Sequence, residues 1–208
     1  NIHSMLTLAV QYHQSGRLQE AESVYRQVLD ISPDNEDALH FLGVLALQLG
    51  EHDSAVELIG KAIAKNPNLA EAHYNLGKVF EAQGEIDTAI DSYRRTLALN
   101  PDIAEAHYNL ALALGHLGNL AEAVNHYRSA LAINPRDADA LFNLGNTLRD
   151  MGNSAEAIAS YRQAIQANPR HVEAFINLGV ELKAQGNPAE AIACYERAIS
   201  INPKYADA

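Results

Sequence analysis

Between residues 70 and 83, Leu76, Gly77 and Phe80 fall on one helical face, while Glu71, Tyr74, Asn75, Lys78 and Glu81 fall on the opposite stripe. Offsets of 3, 4, 7 and 10 residues from Glu71 follow one side of a helix, so the pattern predicts an amphipathic helix over about 70–83. A second apolar pattern, Ala89, Tyr93 and Leu97 at four-residue steps, predicts another helix over about 86–99. Gly84 separates the two, and Pro101 follows the second. Glycine readily takes the left-handed conformation that closes a helix, and proline cannot continue one, so the segment reads as helix, turn, helix, turn.

This unit recurs along the chain. The residues Ala-Glu-Ala-His-Tyr-Asn-Leu stand at 70–76 and again at 104–110, with weaker copies at 36–42, 138–144 and 172–178. Pro33, Pro67, Pro101, Pro135, Pro169 and Pro203 are spaced by 34 residues, as are Gly16, Gly50, Gly84, Gly118, Gly152 and Gly186. Between them runs a column of alanines, Ala21, Ala55, Ala89, Ala123, Ala157 and Ala191, which lets helices approach closely. Beside it stand Tyr25, Tyr93, Tyr127, Tyr161 and Tyr195, with Ile59 as the one exception. One helix pair cannot bury its own apolar faces, so stacking of successive pairs is the fold these columns predict.

The 34-residue period, with Leu-Gly, a large apolar residue three later, Gly at the turn and then Ala, Tyr and Pro, resembles the tetratricopeptide repeat (TPR). The resemblance covers copies at 2–35, 36–69, 70–103, 104–137, 138–171 and 172–205, followed by a stub at 206–208. It implies an all-α fold, a right-handed α-solenoid (superhelix) of six helix-turn-helix units forming a single array over 1–208. The chain departs from the family pattern where the family has Trp, reading Met5, Leu39, His73, His107, Leu141 and Phe175, and where Ala9 and Ala111 replace Gly. These departures bear on fine packing.

Composition narrows what such an array does. Apolar residues make up 48% of the chain with no Trp, in keeping with helix. The formal charge of -11 repels phosphate backbones and anionic membranes, so nucleic acid is not an expected partner. No apolar run is long enough to cross a bilayer. The single cysteine, Cys194, excludes an intrachain disulfide and fits an intracellular, reducing compartment such as the cytoplasm. The chain begins at Asn1 and stops where a further copy opens, which points to a segment of something longer.

No catalytic constellation is legible, so this segment does not read as an enzyme. The nine histidines contain no H-E-x-x-H and no pair with metal-ligand spacing, and no cofactor motif is present. His73 and His107 read as packing residues and Cys194 as an inert buried thiol. Gly145 to Thr147 lies within a helix and is not a phosphate loop.

The polar stripe, by contrast, is suited to binding. The resemblance implies that first helices line the inner, concave wall. Asn75, Asn109, Asn143 and Asn177 share one column, broken at the amino end by Thr7 and Phe41. A side-chain amide donates and accepts, so it can hold a peptide group whatever the guest's side chains. Successive first helices about 9–10 Å apart would offer one amide for about every third residue of an extended chain advancing about 3.3–3.6 Å per residue. The column is similar to that in the superhelical domain of O-linked N-acetylglucosamine transferases, which implies peptide contacts; structural amides that order the stack are the other reading. Tyr74, Tyr108 and Phe142 add rigid contact area, and Lys78 and Asn146 project inward. The acids Asp37, Glu71, Glu105, Asp139 and Glu173 favour their helix starts, or a basic guest. They occupy the places where a clamp for C-terminal carboxylates would need cations.

The expected function is therefore a non-catalytic scaffold for protein-protein interaction, holding an extended peptide in its groove. The alternative is the substrate-recruiting arm of a larger enzyme, such as a glycosyltransferase of the O-GlcNAc transferase kind. An uncovered apolar flank at Ile192, Tyr195 and Ile199 also predicts end-on self-association.

Overall fold

The computed structural model of the chain describes residues 1–204, and among these every regular element is helical. The helices are α1 (Ile2–Gln14), α2 (Leu18–Ile31), α3 (Glu36–Gln48), α4 (His52–Lys65), α5 (Ala70–Gln83) and α6 (Ile86–Leu99), then α7 (Ala104–His116), α8 (Leu120–Ile133), α9 (Ala138–Asp150), α10 (Ser154–Ala167), α11 (Val172–Ala184) and α12 (Pro188–Ile201). They form two compact units, one of residues 1–101 and one from 102 onward. In each, three helix pairs stack in chain order. The bounds of α5 and α6 coincide with those the apolar spacing predicts. The stub at 206–208 lies outside the described residues.

Local chemistry fixes where the first helix of each pair stops. All six turn glycines have φ between 76 and 81°, a region costly for residues with a Cβ. At Gly84 the amide donates to the Glu81 carbonyl at 3.0 Å, and the Glu85 amide reaches back to the Phe80 carbonyl at 2.8 Å. Bonds of this kind satisfy carbonyls that the helix end would leave unpaired. The first helices begin less uniformly. Asn35 Oδ1 accepts from the Ala38 amide at 2.9 Å, Asp137 Oδ1 accepts from Asp139 and Ala140, and His171 Nδ1 accepts from Ala174, whereas Leu69 and Ile103 supply no side-chain cap.

The interior of the first unit contains Ala9, Ala21, Tyr25, Leu42 and Leu45, then Ala46, Ala55, Ile59, Ala72 and Val79. In the second unit Leu141, Ala164 and Ala174 pack with Leu131, Phe142 and Ile165. Close approach depends on missing side chains. A Cβ on Gly77 would stand 2.5 Å from Tyr93 Cε1, and one on Gly145 would stand 2.6 Å from Tyr161 Cε1. Ala9 and Ala111 occupy the same column opposite Tyr25 and Tyr127, and those rings pack differently. Tyr127 meets Tyr108 edge-on at 67°, while the corresponding Tyr93 and Tyr161 pairs are tilted at 43° and 46°.

At α12, Ile192 is 56% exposed, whereas Val124 and Ile158 in the same column are covered by the pair that follows them. Among the described residues no helix is long and apolar enough to cross a membrane.

Candidate functional site

The polar stripe on the first helices is the candidate site, and the structure shows how its side chains are held. Asn75 Nδ2 donates to His40 Nε2 at 3.0 Å in the first unit. In the second, Asn143 Nδ2 donates to the Tyr108 hydroxyl at 3.0 Å. Both bonds join residues 35 apart, linking the asparagine column of one repeat to the preceding position in the repeat before. Phe142 has no acceptor for Asn177, whose Nδ2 instead reaches Asn146 Oδ1 at 2.8 Å. Each of these three amides is thereby fixed through its donor half, and its Oδ1 has no partner among the described residues. Such a carbonyl can accept a hydrogen bond from the backbone N–H of a guest chain. Asn109 sits half-buried in the same column on α7.

The aromatic column stands behind these amides. Tyr74 lies 5.9 Å from Tyr93, Tyr108 lies 6.0 Å from Tyr127 and Phe142 lies 6.0 Å from Tyr161, all between ring centroids. One face of each ring therefore supports its own repeat, and each remains half-exposed on the other. Lys78 is exposed, with its ammonium 5.7 Å from the Tyr74 ring centroid. Asn146 does two jobs, accepting from Asn177 and, at 2.8 Å, from the Tyr161 hydroxyl. In the first unit the Tyr93 hydroxyl donates to Glu81 Oε2 at 2.6 Å.

Two features of these columns, the place of His40 and the state of the Tyr25 hydroxyl, escape a reading of aromatic types alone. His40 belongs to the column of Tyr74, Tyr108 and Phe142, as the 34-residue register would have revealed. It is buried, and loss of hydration holds its imidazole below the usual histidine range. Tyr25 is wholly buried, and its hydroxyl has no hydrogen-bond partner. The positions corresponding to Glu81 and Asn146 are His13 and Val10, and neither accepts from it. Burial pushes its phenol up to about 12.

The acids Asp37, Glu71, Glu105, Asp139 and Glu173 all stand exposed in first turns. Asp139 and Glu173 flank the buried His171, with Oδ1 3.6 Å from Nε2 and Oε2 3.3 Å from Nδ1. His73 Nε2 lies 3.0 Å from the Pro67 carbonyl, and His107 Nδ1 lies 3.0 Å from His126 Nδ1. Cys194 is buried and desolvation raises its thiol, the opposite of what a nucleophile needs. Among the described residues no three ligating side chains are placed to hold a metal ion.

Comparison with known proteins follows the same lines. A family profile described as Tetratricopeptide repeat matches residues 74–138 and 142–206, and another of that description matches 12–79. Comparison with curated proteins gives no match. A crystal structure of MamA is 28% identical, with a TM-score of 0.75 over 80% of this chain and 98% of that one. YrrB, described as having an unusual peptide-binding site, is 23% identical, with a TM-score of 0.77 over 86% and 92%. PilF of Pseudomonas aeruginosa is 19% identical, with a TM-score of 0.86 over 99% and 95%.

Proposed function

This chain belongs to the tetratricopeptide repeat family, and on that premise we propose that it is a binding scaffold, holding an extended segment of another protein against its first helices. One observation supports the reading above others. Asn75, Asn143 and Asn177 each commit Nδ2 to a neighbouring repeat and leave Oδ1 open, so the second unit presents two pre-oriented acceptors one repeat apart, at Asn143 and Asn177, and the first unit presents one at Asn75. An acceptor already fixed by its own donor loses little freedom when a guest amide arrives, which favours backbone recognition. Tyr74, Tyr108 and Phe142 supply flat apolar area beside the acceptors, with Lys78 and Asn146 as polar contacts. Asn109 extends the column, and the fold is shared with YrrB, for which a peptide-binding site is described. Membership of a repeat family whose members generally act as scaffolds supports a role in binding.

Panning a library of random twelve-residue peptides against the chain tests this. Recovered peptides are expected to bind the wild-type chain and to weaken about tenfold when Asn75 and Asn143 are both replaced by alanine. Failure to enrich any peptide, or equal binding to the doubly substituted chain with its helicity intact, would remove the proposal.

A further inference from the structure

A cleft of about 240 Å³ opens in the first unit between α2 and α4, away from the asparagine stripe. Its floor is the α3 face of Leu42, Leu45, Ala46 and Leu49, together with Leu58 of α4. On α3 this stripe is turned by roughly a quarter to a third of a revolution from Phe41, Val44 and Gln48, the residues on the wall side, at 3.6 residues per turn. Glu22, Arg26, Glu51, Ser54 and Glu57 form its rim.

Two shortened side chains create the space. The column of Ala46 holds Tyr12, Phe80, Leu114, Leu148 and Leu182 in the other repeats, so the side chain at this point of the floor is the smallest of its column. At the rim, Ser54 stands where three later repeats have glutamate, Glu122, Glu156 and Glu190. In the second unit Arg128 Nη2 meets Glu156 Oε2 at 2.7 Å and Arg162 Nη2 meets Glu190 Oε1 at 2.6 Å, each pair 28 residues apart and spanning neighbouring second helices. The corresponding pair in the first unit is Arg26 and Ser54. Arg26 turns back along its own helix to Glu22 at 2.8 Å, and no bridge crosses the cleft.

We propose that this cleft is a second docking site, which takes a lysine or arginine side chain from a partner protein. The floor suits the aliphatic stem of such a side chain, because long cationic residues bury methylenes while their heads stay polar. Charge selects the head. The rim carries three carboxylates against one guanidinium. Arg26 engages Glu22 and Lys61 engages Glu57, leaving Glu51 without a partner among the described residues. Glu51 also precedes α4 without capping it, so its carboxylate is free to turn toward the cleft. A neutral apolar occupant would leave that carboxylate unanswered, and an acidic one would meet it with like charge.

Nα-acetyl-arginine amide is a direct probe, followed through the methyl NMR signals of Leu42, Leu45, Leu49 and Leu58. It is expected to shift them saturably, with Nα-acetyl-norleucine amide and Nα-acetyl-glutamate amide weaker. Ala46→Leu fills the floor without changing charge, with a residue the same column already buries at Leu114, Leu148 and Leu182. Ser54→Glu restores the bridge to Arg26 and closes the mouth while adding a negative charge. Both substitutions are expected to abolish the shifts without lowering the melting temperature. Simple attraction to an acidic surface predicts the reverse for Ser54→Glu, so stronger binding by that variant would overturn the proposal. Equal response to norleucine, or full binding by Ala46→Leu, would overturn it as well.

Discussion

Removing one oxygen from the tyrosine column is expected to change stability in opposite directions at two of its positions. The Tyr161 hydroxyl donates to Asn146, so Tyr161→Phe removes a bond whose net contribution is about 0.5–1.5 kcal/mol. Asn146 keeps its bond from Asn177, which should hold the loss near about 1 kcal/mol. Tyr25, stacked on Phe41 and equally buried, has no partner for its oxygen. An unsatisfied buried hydroxyl costs about 1–3 kcal/mol, so Tyr25→Phe should stabilise by about 1 kcal/mol. Ile59, fully buried in the same column, shows that the position does not require a hydroxyl. The difference of about 2 kcal/mol corresponds to roughly 4–8 °C between the two variants for a chain of this size. Thermal unfolding followed by circular dichroism measures it. Amide exchange in α1–α3 and in α9–α11 locates each change, which matters because repeat arrays need not unfold in one step. The pH dependence carries a matching sign. The Tyr25 phenol is raised from near 10 to about 12 in the folded state, so its contribution is intact below about pH 10 and is lost as pH rises toward 12. Tyr25→Phe should flatten that part of the alkaline decline. Destabilisation of Tyr25→Phe equal to that of Tyr161→Phe would show that Tyr25 has a partner and refute the reasoning.

Other consequences are open to measurement. His40 is neutral and depressed by burial, so the unfolded chain takes up its proton first; the first unit should lose stability as pH falls below about 6.5, and His40→Tyr, copying the Tyr108–Asn143 pair, should remove that loss in acid titrations. Gly77→Ala should cost about 1 kcal/mol in urea unfolding. Overpacking against Tyr93 costs about 1–3 kcal/mol and the gain in helix propensity returns up to about 1. Asn143→Ala should lose about 1 kcal/mol or less, because its bond to Tyr108 is only half-buried, while peptide binding falls about threefold; a stability loss with binding unchanged would mark the amide as structural.

Much of this fold is written in the sequence. The bounds of α5 and α6, the glycine closures and the succession of helix pairs follow from spacing along the chain, because helix periodicity and the backbone freedom of glycine and proline are local properties. The column of asparagines was legible for the same reason. What those asparagines touch was not. Asn75 meets His40, Asn143 meets Tyr108 and Asn177 turns to Asn146, and the difference depends on whether the neighbouring repeat offers an acceptor at the right distance. Likewise, Tyr25 and Tyr161 are identical letters in one column, yet only the packing around them leaves one hydroxyl orphaned and the other bonded. The cleft over Ala46 needs two short side chains on different helices to coincide in space. Periodicity fixed the elements and their order; the meeting of side chains from separate helices, which hydrogen bonding and packing resolve over a few ångströms, was decided by tertiary structure alone.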